Sequence, residues 1–204
     1  MTVGRAPLNT ICILVLLAAL APAAARADTA ATDKLVAAIR AQYEEIGARI
    51  AKSEAKKAHD SEATGIARTE VVINKDREPW RAVGVYRVVY TFWFQDGEPA
   101  GGGTVTQRLR KATVSVEVAT RRLYQEFFYA SDGALAFYFR RAAGGEAPGE
   151  LRLYFDKQRP VRAIADGVAR DTPNPEDLKA APDALAKSAA LKRLFEQSLR
   201  APVE

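Results

Sequence analysis

The chain has 204 residues, with 30 Lys+Arg against 25 Asp+Glu, a formal net charge of +5, one histidine and one cysteine. One cysteine excludes an intrachain disulfide, and one histidine leaves no zinc-ligand spacing to build. The charge is mild and does not by itself point to nucleic acid.

The first element is a leader. Arg5 supplies a basic start, "ICILVLLAALA" at residues 11–21 an apolar core, and "ARA" at residues 25–27 a small-x-small site ahead of Asp28. This pattern predicts a secretory signal peptide over residues 1–27, cleaved near Ala27. The apolar run falls short of the ~20 residues a membrane span needs. Cys12 lies inside the run and is badly placed for lipid anchoring. The expected product is a soluble periplasmic or secreted protein without a stable membrane span. Losing Arg5 and Arg26 leaves 28 Lys+Arg against 25 Asp+Glu, a net charge of +3. Export also speaks against a nucleic-acid partner. Residues 28–204 hold no cysteine, which removes thiolate catalysis, and suffice for one domain.

Residues 28–60 read as a helix. Leu35, Ile39, Tyr43, Ile46 and Ile50 recur at three- and four-residue steps, and Thr32 or Asp33 is placed to cap it. Residues 68–167 read as an antiparallel sheet. "TEVVINK" is a first strand, and Trp80 to Phe94 a long one rich in β-branched and aromatic residues. "TVTQRLRKATVSVEVAT", "RLYQEFFYA", "ALAFYFRR", "ELRLYFD" and "PVRAIAD" follow across short turns. Six or seven strands without an intervening helix imply a meander, because parallel pairs need long crossovers. Residues 174–200 read as helical. Asn174, Pro175 and Asp177 form a start signal, Pro182 an interruption, and Asp183 the cap of a second helix carrying Leu185, Leu191, Leu194, Phe195 and Leu199. The expected fold is α+β: a long N-terminal helix packed on the greasy face of the meander, with a C-terminal helical segment. Cystatin-like and nuclear-transport-factor-like folds share this architecture.

Turn chemistry assigns the faces. A three-residue loop at Ser131, Asp132 and Gly133 sets Tyr129 opposite Leu135, and plain alternation then sets Phe127 opposite Phe137. Glu126 then faces Tyr138, and Tyr124 faces Arg140; a two-residue Asp-Gly turn would instead put Glu126 across from Phe139, and the first register is preferred because that one mixes the faces. In the next hairpin Phe155 faces Val161, Leu153 faces Ala163, and Tyr154 faces Arg162. The expectation is one polar layer of Arg122, Tyr124, Glu126, Tyr138, Arg140, Arg152, Tyr154 and Arg162. Arginine forks and tyrosine hydroxyls suit an anionic ligand or an envelope surface. The plainer alternative is a solvated sheet face. In "YTFWF", Tyr90, Phe92 and Phe94 fall on one side and Trp93 on the other. Two-sided apolarity predicts a helix over each face; the functional alternative is an apolar ligand cleft. An exposed patch that pairs two copies of the chain is a third reading.

No catalytic constellation is legible. His59 falls in the lysine-rich end of the first helix, "GGGTV" at residues 101–105 lacks a phosphate-loop lysine, and nothing singles out a pair among Glu117, Glu126, Asp156 and Asp166. No metal or cofactor is expected, and the balance favours a non-enzymatic exported binding or envelope-associated protein. A pocket protein or enzyme with an apolar cleft and a structural, homodimerising protein are the alternatives.

The stretch "ELRLYFDKQRPVRAIADG" resembles the end of uncharacterised exported bacterial proteins in which a helix precedes an antiparallel meander. Tyr154, Phe155 and Asp156, then Arg162, Ile164, Asp166 and Gly167, carry the likeness. It implies the fold and the compartment and carries no activity.

Overall fold

The computed structural model describes residues 21–55, 65–97, 107–144, 149–170 and 174–200, without the side chains of 21–28. Most of the leader, His59 and the 101–105 glycine segment lie outside the described residues. The order is α1 (Ala21–Ala55), β1 (Ala67–Ile73), β2 (Pro79–Trp80), β3 (Gly84–Asp96), β4 (Gln107–Val118), β5 (Arg121–Tyr129), β6 (Leu135–Ala143), β7 (Gly149–Asp156), β8 (Arg159–Ala165), β9 (Val168–Arg170) and α2 (Pro175–Leu199). The fold is α+β. One antiparallel sheet runs β1-β3-β4-β5-β6-β7-β8-β9, with β2 paired on β3. From β3 to β9 each neighbour follows the last in sequence, as short turns require.

Two strands exceed the expected number because turns cut more finely than composition suggests. The strand expected from Trp80 breaks at Arg81–Val83, where Ala82 has φ 64° and Gly84 φ 73°, and Pro79–Trp80 pairs back as β2. Asp166 and Gly167, at φ 46° and 85°, form a two-residue turn that adds β9.

Three register shifts shape the sheet. Phe94 pairs with Leu109 but Trp93 with Lys111, Tyr129 with Leu135 but Phe128 with Phe137, and Phe155 with Pro160 but Tyr154 with Arg162. Arg110, Ala136 and Val161 are the extra residues. All three lie at the same end of the sheet, where an extra residue bends its strand and increases twist. That end is the one α1 crosses. Val36, Ile39, Ile46 and Ile50 of α1 bury there against Trp93, Phe128, Ala136, Phe137 and Tyr154. Tyr43 meets Phe128 and Phe137 edge-on, each with ring centroids 5.5 Å apart.

The opposite face belongs to α2. Ala181, Ala184, Leu191 and Phe195 bury against Phe92, Phe127, Tyr129, Tyr138, Leu151, Leu153 and Phe155. Each face thus has its own helix and its own core. The leucine- and phenylalanine-rich face expected for the N-terminal helix is divided: Phe137 and Phe139 lie under α1, whereas Phe127, Tyr129, Leu135, Leu153 and Phe155 lie under α2.

Helix limits also differ from expectation. α1 is continuous from Ala21, so Thr32 and Asp33 lie within it, and Asp33 instead accepts from Arg162 at 2.7 Å. α2 begins as expected: Asn174 caps it, Pro175 follows, and the Asp177 side chain accepts from the Asn174 backbone N–H. It then runs unbroken through Pro182 instead of restarting at Asp183. Pro182 sits on the exposed side, and the backbone acceptor it leaves without a donor belongs to Leu178, which is also exposed. Replacing Asn174 by alanine removes the side-chain half of this cap, the acceptor for the Asp177 N–H, and leaves the backbone half. We expect a loss of about 1 kcal/mol, read as a lower thermal midpoint.

Candidate ligand site between α1 and the sheet

The site is built around Glu126, which is 5% exposed. Glu126 faces α1 because it alternates with Phe127 and shares the side of Phe128 in β5, and the Ala136 bulge in β6 sets Phe139, which also faces α1, across from it. The Tyr43 hydroxyl donates to Glu126 Oε1 and the Tyr124 hydroxyl to Oε2 at 2.8 Å. Lys111 Nζ sits 3.1 Å from Oε2 and lies over the rings of Tyr43 and Trp93 at 5.0 and 5.7 Å. Burial first, and the neighbouring carboxylate second, push Tyr43 and Tyr124 well above the usual phenol range. Both therefore remain neutral donors, and the carboxylate is matched by one ammonium and two phenols.

Beside this cluster α1 and the sheet enclose a cavity of about 440 Å³ lined mainly by Ile39, Arg40, Phe137, Phe139, Arg152 and Tyr154, with Glu126 in its wall. The walls are mostly apolar. Two guanidinium groups add the polarity. Arg152 lies over the Phe139 ring and pairs with Glu150 at 3.0 Å. Arg40 is different. Its Nε donates to the Tyr154 hydroxyl at 3.1 Å and its guanidinium lies over the same ring, yet it has no carboxylate partner among the described residues. An unneutralised cation at the mouth of an apolar, half-open cavity suits a ligand with an anionic head and a greasy body.

The single arginine–tyrosine layer expected from alternation does not exist. Tyr154 pairs with Phe137, and Arg152 with Phe139, whereas Tyr138 pairs with Leu153 and Arg140 with Leu151. The Ala136 bulge shifts parity after Tyr129, so Tyr138 and Arg140 fall on the α2 side. Tyr138 is buried there, its ring 5.1 Å from Phe127 and its hydroxyl accepting from Gln125 at 2.6 Å. Burial raises its phenol pKa. Arg122, Tyr124, Arg152, Tyr154 and Arg162 do share the α1 side. They are spread along it: Tyr154 is buried under α1, Arg162 is tied to Asp33, and Arg122 lies at the uncovered end. The apolar cleft around Tyr90, Phe92, Trp93 and Phe94 is filled. Phe195 packs on Phe92 and Phe94 with ring centroids 5.7 and 5.1 Å away, and Trp93 points into the α1 core.

Sequence reading missed Arg40 and Lys111. Arg40 adjoins Ile39 and lies three residues before Tyr43, so it borders the buried stripe of α1. That spacing was available. Lys111 carried a signal too: it shares the face of Thr113, Ser115 and Glu117 by plain alternation, in register with Trp93 and Phe128 under α1. Among the described residues no group of three or more His, Cys, Asp or Glu could hold a metal ion, and no helix is long and apolar enough to cross a membrane. No family model, curated protein or solved structure matches the chain.

Proposed function

We propose that the chain is an exported, non-enzymatic binding protein that holds an amphipathic anion, of the fatty-acid or aromatic-acid type, in the cavity under α1. Export rests on the leader pattern at residues 1–27. Binding rests on one observation: Arg40, without a carboxylate partner among the described residues, beside a cavity of about 440 Å³ walled by Phe137, Phe139, Ile39 and Ile164. That volume falls in the ordinary range for small-molecule sites, ~300–1,000 Å³. In this reading the ligand's carboxylate meets Arg40 and Arg152, while its body displaces water from the aromatic walls. Glu126 does not repel it, because Lys111 and two phenols already surround that charge.

Calorimetric titration with decanoate and with decanol tests the reading. Decanoate is expected to bind saturably and decanol about tenfold or more less tightly, since a hydrogen bond to a charged group contributes ~1.5–3 kcal/mol. Arg40→Gln should remove most of that difference while leaving the thermal midpoint within a degree or so. Equal affinity for acid and alcohol, or an R40Q variant that binds decanoate like the parent, would overturn it.

A further inference from the structure

α1 covers only the bulged end of its sheet face. At the other end, β3, β4, β5 and β6 present Arg87, Glu117, Arg122 and Arg141 to an open concavity of about 330 Å³. Arg87 pairs with Glu117 across β3–β4, and Glu117 with Arg122 across β4–β5, so one carboxylate is flanked on both sides by guanidinium groups. A third arrives from the loop before β2. Arg77 grips Glu117 with both terminal nitrogens, at 3.1 and 3.5 Å, and Arg122 reaches the same carboxylate at 3.3 Å.

The loop that delivers Arg77 is built for the purpose. Arg77 itself has φ 60° and Asn74 φ 54°, conformations costing about 1 kcal/mol or more for a residue with a side chain. Asn74 holds the turn closed: its side chain donates to the carbonyls of Glu78 and Tyr86 at 2.8 and 2.6 Å and accepts from the Glu78 N–H at 3.0 Å.

Charge is the anomaly. Arg77, Arg87 and Arg122 share the single negative charge of Glu117, which leaves two positive charges in excess. Arg87 makes no ion pair among the described residues, and its Nε is buried without a hydrogen-bond partner there. Arg141, at the rim, is 3.8 Å from Glu150. Like charges on neighbouring strands repel, and nothing in packing requires three of them here.

We propose that this concavity is a second binding site, for a phosphoryl-type oxyanion carrying at least two negative charges. Guanidinium forks match such an anion's oxygens in pairs. Ser115, exposed at the same place, supplies a hydroxyl. Glu117 occupies part of the space an anion would take and holds Arg77 and Arg122 splayed until one binds. The site is separate from the cavity under α1 and does not depend on it. A free phosphate compound and a phosphomonoester lipid headgroup offer the same chemistry.

Titration of the purified protein with inorganic pyrophosphate at low ionic strength, and flotation with phosphatidylcholine vesicles with or without phosphatidic acid, test the proposal together. Saturable pyrophosphate binding without vesicle capture assigns a free anion. Capture by phosphatidic acid vesicles, reversed by pyrophosphate, assigns a headgroup. In either case Arg122→Gln, whose side chain is 71% exposed and so leaves the fold intact, should weaken binding about fivefold or more, whereas Arg40→Gln should not change it. Glu117→Gln should tighten binding by removing the competing charge. No saturable binding to either probe, an unaffected R122Q variant, or weaker binding in E117Q would overturn the proposal.

Discussion

Replacing Glu126 by alanine is expected to cost about 3–5 kcal/mol of folding stability, read as a lower urea midpoint followed by the fluorescence of buried Trp93. The reason lies in what the carboxylate leaves behind. Lys111 is only 15% exposed and would lose its counter-charge, and the hydroxyls of Tyr43 and Tyr124 would lose their acceptor. The double variant Lys111→Met, Glu126→Leu should recover much of the loss, since a buried ion pair exchanged for apolar groups of similar size is often near neutral. It should not recover all of it, because each phenol left unsatisfied costs ~1–3 kcal/mol. A single-variant loss below about 1 kcal/mol would mean that the pair is solvated and that the floor of the proposed cavity is wet.

The same cluster explains how far sequence reading reached. Elements with a strong period were legible. The stripe of Ile39, Ile46 and Ile50 defined α1, the Asn174–Asp177 cap opened α2, and β-branched and aromatic runs marked the long strands. The two-sided apolarity of "YTFWF" correctly required a helix over each face, with Phe92 and Phe94 under α2 and Trp93 under α1. Side-chain direction was another matter. The turn at Ser131–Gly133 was read correctly: Gly133 has φ 81° and Tyr129 pairs with Leu135. One residue later the reading failed, because Ala136 carries no local mark of a bulge. Alternation has a period of two, so one inserted residue moves every later side chain to the other face. Tyr138 and Arg140 were therefore assigned beside Arg152 and Tyr154 when they lie behind them. The candidate cavity inherits this. Its aromatic wall of Phe137 and Phe139 exists on the α1 side only because the bulge puts it there.

Two changes at Ala136 separate its side chain from the bend it makes. Ala136→Gly keeps the extra residue and deletes one methyl. We expect a loss of about 0.5–1 kcal/mol, the usual penalty for glycine within a strand. Deleting Ala136 outright tests the bend instead of the register. Leu135 already faces α2 with Tyr129, and Phe137 already faces α1 with Phe128, so joining them directly gives plain alternation. β6 then keeps its pairing with β7 from Phe137–Tyr154 onward, and no later side chain changes face. What is lost is the local bend and twist that the extra residue gives the strand where α1 crosses, together with the buried Ala136 side chain. Backbone shifts in a packed core cost ~1–3 kcal/mol, so the deletion should lower the urea midpoint further than Ala136→Gly does and still unfold in one cooperative step. Binding of decanoate should weaken as well, because Phe137 and Phe139 keep their side but lose the curvature that sets them against α1. A deletion variant with no cooperative transition would show that the bend itself, and not only the division of side chains between the two helices, holds this sheet together.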